Sequence, residues 1–119
     1  MASRIAGVAF ITVNGEQMAL RGNLTISPSA VERTMLAGQD GVHGYQELPR
    51  VPFVEGDFSM LPQTLIEDID GQVNETVVVQ APNGRIYSFT EAMCKAGSEP
   101  NLLDGQVRIR WECVTAEEI

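Results

Sequence analysis

An antiparallel β-sandwich or barrel of seven or eight strands, carrying one short helix, is the fold class this chain predicts. Three observations point to it. Apolar and polar residues alternate over most of the chain, the period of strands with one buried face. Two Asn-Gly pairs, Asn14-Gly15 and Asn83-Gly84, stand between β-rich runs, and both residue types tolerate the positive φ of a tight hairpin. Only one stretch has helical spacing.

In chain order, Ile5 to Val13 is a β-rich run that stops at Asn14-Gly15. Gln17 to Ser27 returns as its partner, with Met18, Leu20, Gly22, Leu24 and Ile26 on one side. Ser29-Ala30-Val31-Glu32 fits a helix capping box. Val31, Arg33 and Met35 also alternate with Glu32, Thr34 and Leu36, and the strand reading is preferred. Gln46 to Arg50 and Phe53 to Leu61 are extended segments separated by Pro52.

The helix is expected over about 62–70, PQTLIEDID, with Pro62 in its first turn. Leu61, Leu65 and Ile69 share one face, with Ile66 beside them. Glu67, Asp68 and Asp70 then fall at the C-terminal end, where the helix dipole opposes each by about 0.3–1 kcal/mol. Something other than local helix stability selects them. Glu75 to Gln80 is a strand, and Asn83-Gly84 turns it into Arg85 to Lys95. A polar loop, Gly97 to Gly105, leads to the clearest strand, Gln106 to Val114. There Val107, Ile109, Trp111 and Cys113 face one way, and Arg108, Arg110 and Glu112 the other. That phase makes Trp111 a core or interface residue rather than a ligand-stacking one.

The 119 residues suit one domain, 1–119, with no linker or repeat. A chain this long buries roughly two-thirds of its unfolded surface and needs neither metal nor disulfide. The net charge of −8 argues against a phosphate-gripping surface. Between Val51 and Gly84 there is no Lys or Arg, but there are Glu55, Asp57, Glu67, Asp68, Asp70 and Glu75. These acids predict either a solvated negative face or a surface that repels polyanions. Cys94 and Cys113 belong to no CxxC pair, no signal peptide is recognisable, and no apolar run reaches membrane-helix length. Free thiols in a reducing cytoplasm are therefore expected.

The stretch GQDGVHGYQELPRVP, residues 38–52, invites a reading as a site. Gly38, Gly41 and Gly44 recur every third residue around Asp40 and the single histidine, His43. A phosphate loop needs Gly-Lys-Ser/Thr, or GxGxxG before a helix, and neither is present. A hydrolytic triad needs a nucleophile beside the base, and no serine elbow or catalytic cysteine context supplies one. Asp68-Ile69-Asp70-Gly71 resembles a calcium loop, but two ligand positions fall on Ile66 and Val77. No enzyme activity, cofactor or metal is expected. The stretch reads as a flexible connection whose glycines permit rearrangement.

Several stretches carry a family resemblance over nearly the whole chain: MASRIAGVAFITVNG, SPSAVERTMLAGQDGVHGYQELPRVP, VNETVVVQAPNGRIYSFTEAM and GQVRIRWE. In these the chain resembles the tail tube proteins of contractile-tailed, Mu-like bacteriophages. The resemblance implies hexameric rings that stack into a hollow tube inside a sheath. It implies a tape-measure protein that sets tube length, a baseplate, and DNA that passes through the lumen without specific binding. It also implies a β-sandwich of the tail-tube and Hcp-like kind. On this reading Asp40, Gly41, Val42, His43, Gly44 and Tyr45 form an inter-subunit loop. Glu55, Asp57, Glu67, Asp68, Asp70 and Glu75 face the lumen or the sheath. Two alternatives stand beside it. One is an Hcp-like tube of a secretion system or headless tail particle. The other is a monomeric β-sandwich binding module, for which exposed aromatics around a cleft are the discriminating feature.

Overall fold

The computed structural model describes residues 8–62 and 65–119. In order it contains β1 (Phe10–Val13), β2 (Glu16–Gln17), β3 (Leu20–Ser27), β4 (Val31–Gly38), β5 (Gly41–Pro49), β6 (Phe53–Ser59), α1 (Ile66–Asp70), β7 (Glu75–Gln80), β8 (Ile86–Cys94), β9 (Gln106–Glu112) and β10 (Thr115–Glu118). Strands run along one path, β2-β1-β7-β8-β9-β6-β3, with β10 added beside β8. The pair β4-β5 forms a separate two-stranded sheet. All pairings are antiparallel. The mainly β class with one short helix is thus as the sequence predicts, although the described residues hold ten strands rather than seven or eight.

Strand β8 makes the corner of the sandwich. Residues up to Ala92 pair with β7 and β10, whereas Met93 pairs with Glu112 and Cys94 with Trp111 of β9. Just before this switch Glu91 takes φ 53°, and the register against β7 slips. A bulge bends a strand and increases its twist, which lets one strand serve two layers. The alternation of β9 then closes the core. Val107, Ile109, Trp111 and Cys113 are buried together with Val54 and Phe58 of β6, Ile11 and Val13 of β1, Val77 and Val79 of β7, and Phe89 of β8. Each such apolar side chain contributes roughly 1.5–3 kcal/mol on burial. Phe58 meets Trp111 edge-on, with ring centroids 5.5 Å apart.

The Asn14-Gly15 turn forms as expected, with φ 52° and 81°, but its hairpin is short. The expected partner strand, residues 17–27, is divided. Only Glu16 and Gln17 pair with β1, and β3 pairs with β6 instead. Met18 and Ala19 make the crossing. The Met18 amide donates to the Ile11 carbonyl at 2.9 Å, and the Ser59 amide to the Ala19 carbonyl at 2.9 Å. The part of the first expected strand before residue 8 lies outside the described residues.

The helix is also shorter than expected. Leu65 is extended (φ −112°, ψ 118°), so α1 starts at Ile66 and Pro62 does not open it; residues 63 and 64 lie outside the described residues. Ile69 is buried and Ile66 half-buried, while Leu61 and Leu65 are exposed. The later start resolves most of the charge conflict. Glu67 and Asp68 now lie in the first turn, where the dipole favours them. Asp70 ends the helix and accepts a hydrogen bond from Ser98 Oγ at 2.7 Å. The last expected strand stops at Glu112, and Val114 is exposed beyond it. Thr115–Glu118 then adds to β8, a strand that no alternation announced.

Candidate assembly surface

The β4-β5 pair is an arm. Its register runs from Val31↔Pro49 to Gly38↔Gly41, and the Arg50 amide closes its base on the Ala30 carbonyl at 2.8 Å. Every residue of both strands except Gly44 is exposed. An eight-residue strand spans roughly 27 Å. The radius of gyration is 17.4 Å, against about 13.5 Å for a compact chain of this length.

The expected flexible connection over 38–52 is therefore corrected: most of it is the second strand of a hairpin. The glycines shape the hairpin rather than break it. Gly41 and Gly44 take φ 132° and 146°, positive values that other residues adopt only under strain. Val42 opposes Ala37 and Gly44 opposes Leu36, so His43 is the extra residue of a bulge. Its ring folds back over Gly38, where any Cβ would collide with it. His43 Nε2 lies 2.6 Å from Asp40 Oδ1. That hydrogen bond holds the Asp40 carboxyl below its ordinary range.

Cross-strand partners share a face, so the register sorts the arm into two sides. One side presents Val31 with Pro49, Arg33 with Glu47, Met35 with Tyr45, and Ala37 with Val42. Arg33 Nε and Glu47 Oε1 pair at 3.0 Å in the middle of this apolar stripe. The other side presents Glu32, Thr34 and Gln46 among Leu36 and Leu48. Val42 and Tyr45, expected in the inter-subunit loop, thus stand on one ribbon face with Met35, which is 67% exposed. Asp40 and His43 are brought into contact, but their side chains are 83% and 58% exposed. An open, wet pair lacks the water-excluding walls that strengthen electrostatics at a catalytic centre. Among the described residues no cluster of His, Cys, Asp and Glu could hold a metal ion.

The six acids expected on one negative face occupy three elements. Glu55 and Asp57 project from β6 beside arginines of β9. Arg108 reaches both carboxylates at 3.2 Å, and Arg110 reaches Glu55 at 3.2 Å. Asn23 donates to Asp57 at 2.7 Å, and the Arg110 guanidinium lies 3.9 Å over the Phe53 ring. Glu67, Asp68 and Asp70 belong to α1, and Glu75 opens β7 opposite Ala92. The sequence could not pair residues more than 50 positions apart; only the β6-β9 register does so.

Two further features carry no sequence signal. Asn101–Gly105 is a tight turn that exposes Leu102 and Leu103 by 84% and 95%. An apolar groove of about 620 Å³ opens between β3 and β7, lined by Leu20, Leu24, Ile26, Val79, Ala81 and Pro82 among others. Cys94 and Cys113 are free and buried. Burial, and secondarily Asp70, pushes the Cys94 thiol up to about 11. Burial also raises Cys113.

A β-sandwich carrying an uncovered, half-apolar ribbon defines a structural subunit made for assembly. The chain belongs to the phage tail tube protein family, whose model matches residues 2–118, and it is a tail tube structural subunit and virion component. It is 23% identical to the Mu-like prophage FluMu tail tube protein of Haemophilus influenzae (strain ATCC 51907 / DSM 11121 / KW20 / Rd), covering 100% of this chain and 99% of that one. The fold is similar to the anti-feeding prophage tube-terminating cap, with TM-score 0.62, 11% identity, and coverage of 93% of this chain and 87% of that one. It is also similar to the sheath/tube terminator of the extracellular contractile injection system PVC in its extended state. There the TM-score is 0.62 at 10% identity, covering 93% and 92%.

Proposed function

We propose that this subunit forms hexameric rings that stack into a hollow tube, with the β4-β5 arm of each copy docked on a neighbour. The tube assembles in the host cytoplasm inside a contractile sheath. A tape-measure protein sets its length, a baseplate starts it, and DNA leaves through its lumen. The observation that carries this reading is the arm. Its stripe of Val31, Met35, Val42 and Tyr45 is left uncovered by its own chain, and a tube supplies the neighbour that covers it. Heterologous contacts of this kind close into rings or run on as filaments.

The net charge of −8 fits a conduit, because a wall poor in free cations does not hold a polyanion. Glu55 and Asp57 are balanced by Arg108 and Arg110. Glu67, Asp68 and Glu75, which pair with no cation among the described residues, are then the stronger candidates for the lumen or sheath face. No catalytic step belongs to this role. Negative-stain microscopy of the concentrated protein tests it. Rings or tubes with a central hole are expected. A monomer at every concentration, unchanged by added tail components, sinks the proposal.

A further inference from the structure

The turn Asn101–Gly105 is closed by hydrogen bonds of its polar residues and presents two leucines to solvent. Asn101 Oδ1 accepts from the amides of Leu103 (3.0 Å) and Asp104 (3.2 Å), and its Nδ2 donates to Asp104 Oδ2 at 3.2 Å. The backbone closes the turn as well: the Asn101 amide donates to the Gln106 carbonyl at 2.7 Å, and the Gly105 amide to the Asn101 carbonyl at 2.8 Å. From the barrel, Arg21 Nη1 donates to the Asp104 carbonyl at 2.9 Å and to Gln106 Oε1 at 3.1 Å. These hydrogen bonds fix a turn whose two central side chains, Leu102 and Leu103, are 84% and 95% exposed. Leucines held in this way dock with little ordering cost.

The groove between β3 and β7 has the complementary chemistry. Its walls are mostly apolar, and the residues that line it include no carboxylate, in a chain where acids outnumber bases 16 to 8. The leucines are flanked by Asp104 and, three residues before them, Glu99. Arg21, which lines the groove, bonds the turn of its own chain, and neither leucine is among the residues that line the groove.

We infer that Leu102 and Leu103 form a knob by which one copy of this chain holds the next, seated in the neighbour's groove between β3 and β7. The occupant is a second copy because a tube is built of copies and because this chain carries both halves of the contact. The inference rests on the tube reading, and it adds a contact separate from the arm. A knob and a groove at different places on one chain make a head-to-tail contact, which propagates.

Two variants test it. L102S/L103S removes the knob from an exposed turn, so the fold and its melting temperature are expected to persist. The protein concentration needed for assembly is expected to rise roughly tenfold or more. Separately, a Leu103→Cys chain is mixed with an Ala81→Cys chain and oxidised; the native thiols are buried. A disulfide-linked dimer that forms only on assembly supports the contact. Tubes from the wild type together with normal assembly of L102S/L103S, or with no dimer, overturn the inference and leave the tube reading intact. Trapping of Ala81→Cys by Met35→Cys instead assigns the groove to the arm and also overturns it. A wild type that never assembles sinks both.

Discussion

The indole N–H of Trp111 donates to the side-chain oxygen of Gln72 at 2.8 Å, tying the end of α1 to the centre of the barrel. The Gln72 carbonyl meanwhile accepts from the Cys94 amide at 3.0 Å. A single residue just past the helix therefore holds both β9 and β8. The Trp111→Phe variant keeps the edge contact with Phe58 but leaves the Gln72 oxygen without its donor. It is expected to cost about 1–3 kcal/mol. Trp111→Ala also opens a cavity and is expected to cost about 3–5 kcal/mol. Urea unfolding measures both, and an unchanged midpoint for Trp111→Phe removes Gln72 from the stability argument.

This link also shows what the sequence could reveal. The alternation of Val107, Ile109, Trp111 and Cys113 is local, and all four lie in the core as it predicts. The Asn14-Gly15 and Asn83-Gly84 turns are legible for the same reason. The partner of Trp111 is not, because Gln72 is 39 residues away and carries no periodic signal. Only half of the arm is legible. Val31–Leu36 alternates visibly, but the glycines of β5 read as a break until Gly38 is seen lying under the His43 ring. Strand β10 is defined only by its backbone pairing with Tyr87–Thr90, which the composition of Thr115–Glu118 does not advertise.

The buried thiol of Cys94 gives the protein an alkaline limit. Its folded value, about 11, lies above the ordinary 9.0. Between those values the folded chain keeps a proton that the unfolded chain has lost. The contribution is whole below about pH 9 and fades as pH climbs toward 11. Denaturant midpoints measured from pH 8 to 10.5 are expected to fall for the wild type and to fall less for Cys94→Ala. Equal slopes count against the assignment.

At the tip of the arm, Gly38→Ala is expected to displace the His43 ring and release Asp40. The Asp40 carboxyl, held low by His43, then returns toward its ordinary range. Whatever the pair contributes is present above the ordinary carboxylate value and lost as pH falls through the lowered one. NMR titration of Asp40 in the two proteins reads this directly. An unchanged titration curve would mean that the hydrogen bond does not persist in solution.

Gly41 and Gly44 should be sensitive in a different way. Their φ of 132° and 146° strains any side chain, yet at neither position would a Cβ meet another atom within 4 Å. Replacing both by valine is expected to distort the arm and block tube growth while leaving the barrel folded. Normal polymerisation of that variant rules out a need for the bulged tip.

Excising the arm separates folding from assembly. The buried core contains no residue between Val31 and Pro49. At the base, the Arg50 amide already meets the Ala30 carbonyl at 2.8 Å, so a short turn can join the two ends without moving β3 or β6. Replacing residues 31–49 by Asn-Gly should therefore leave the urea midpoint of the barrel within about 0.5 kcal/mol of the wild type. The same protein should form no tubes, because the stripe of Met35, Val42 and Tyr45 is gone. A folded variant that still assembles would show that the arm is dispensable and that other surfaces hold the copies together. A variant that fails to fold would show that the barrel depends on the arm despite burying none of it.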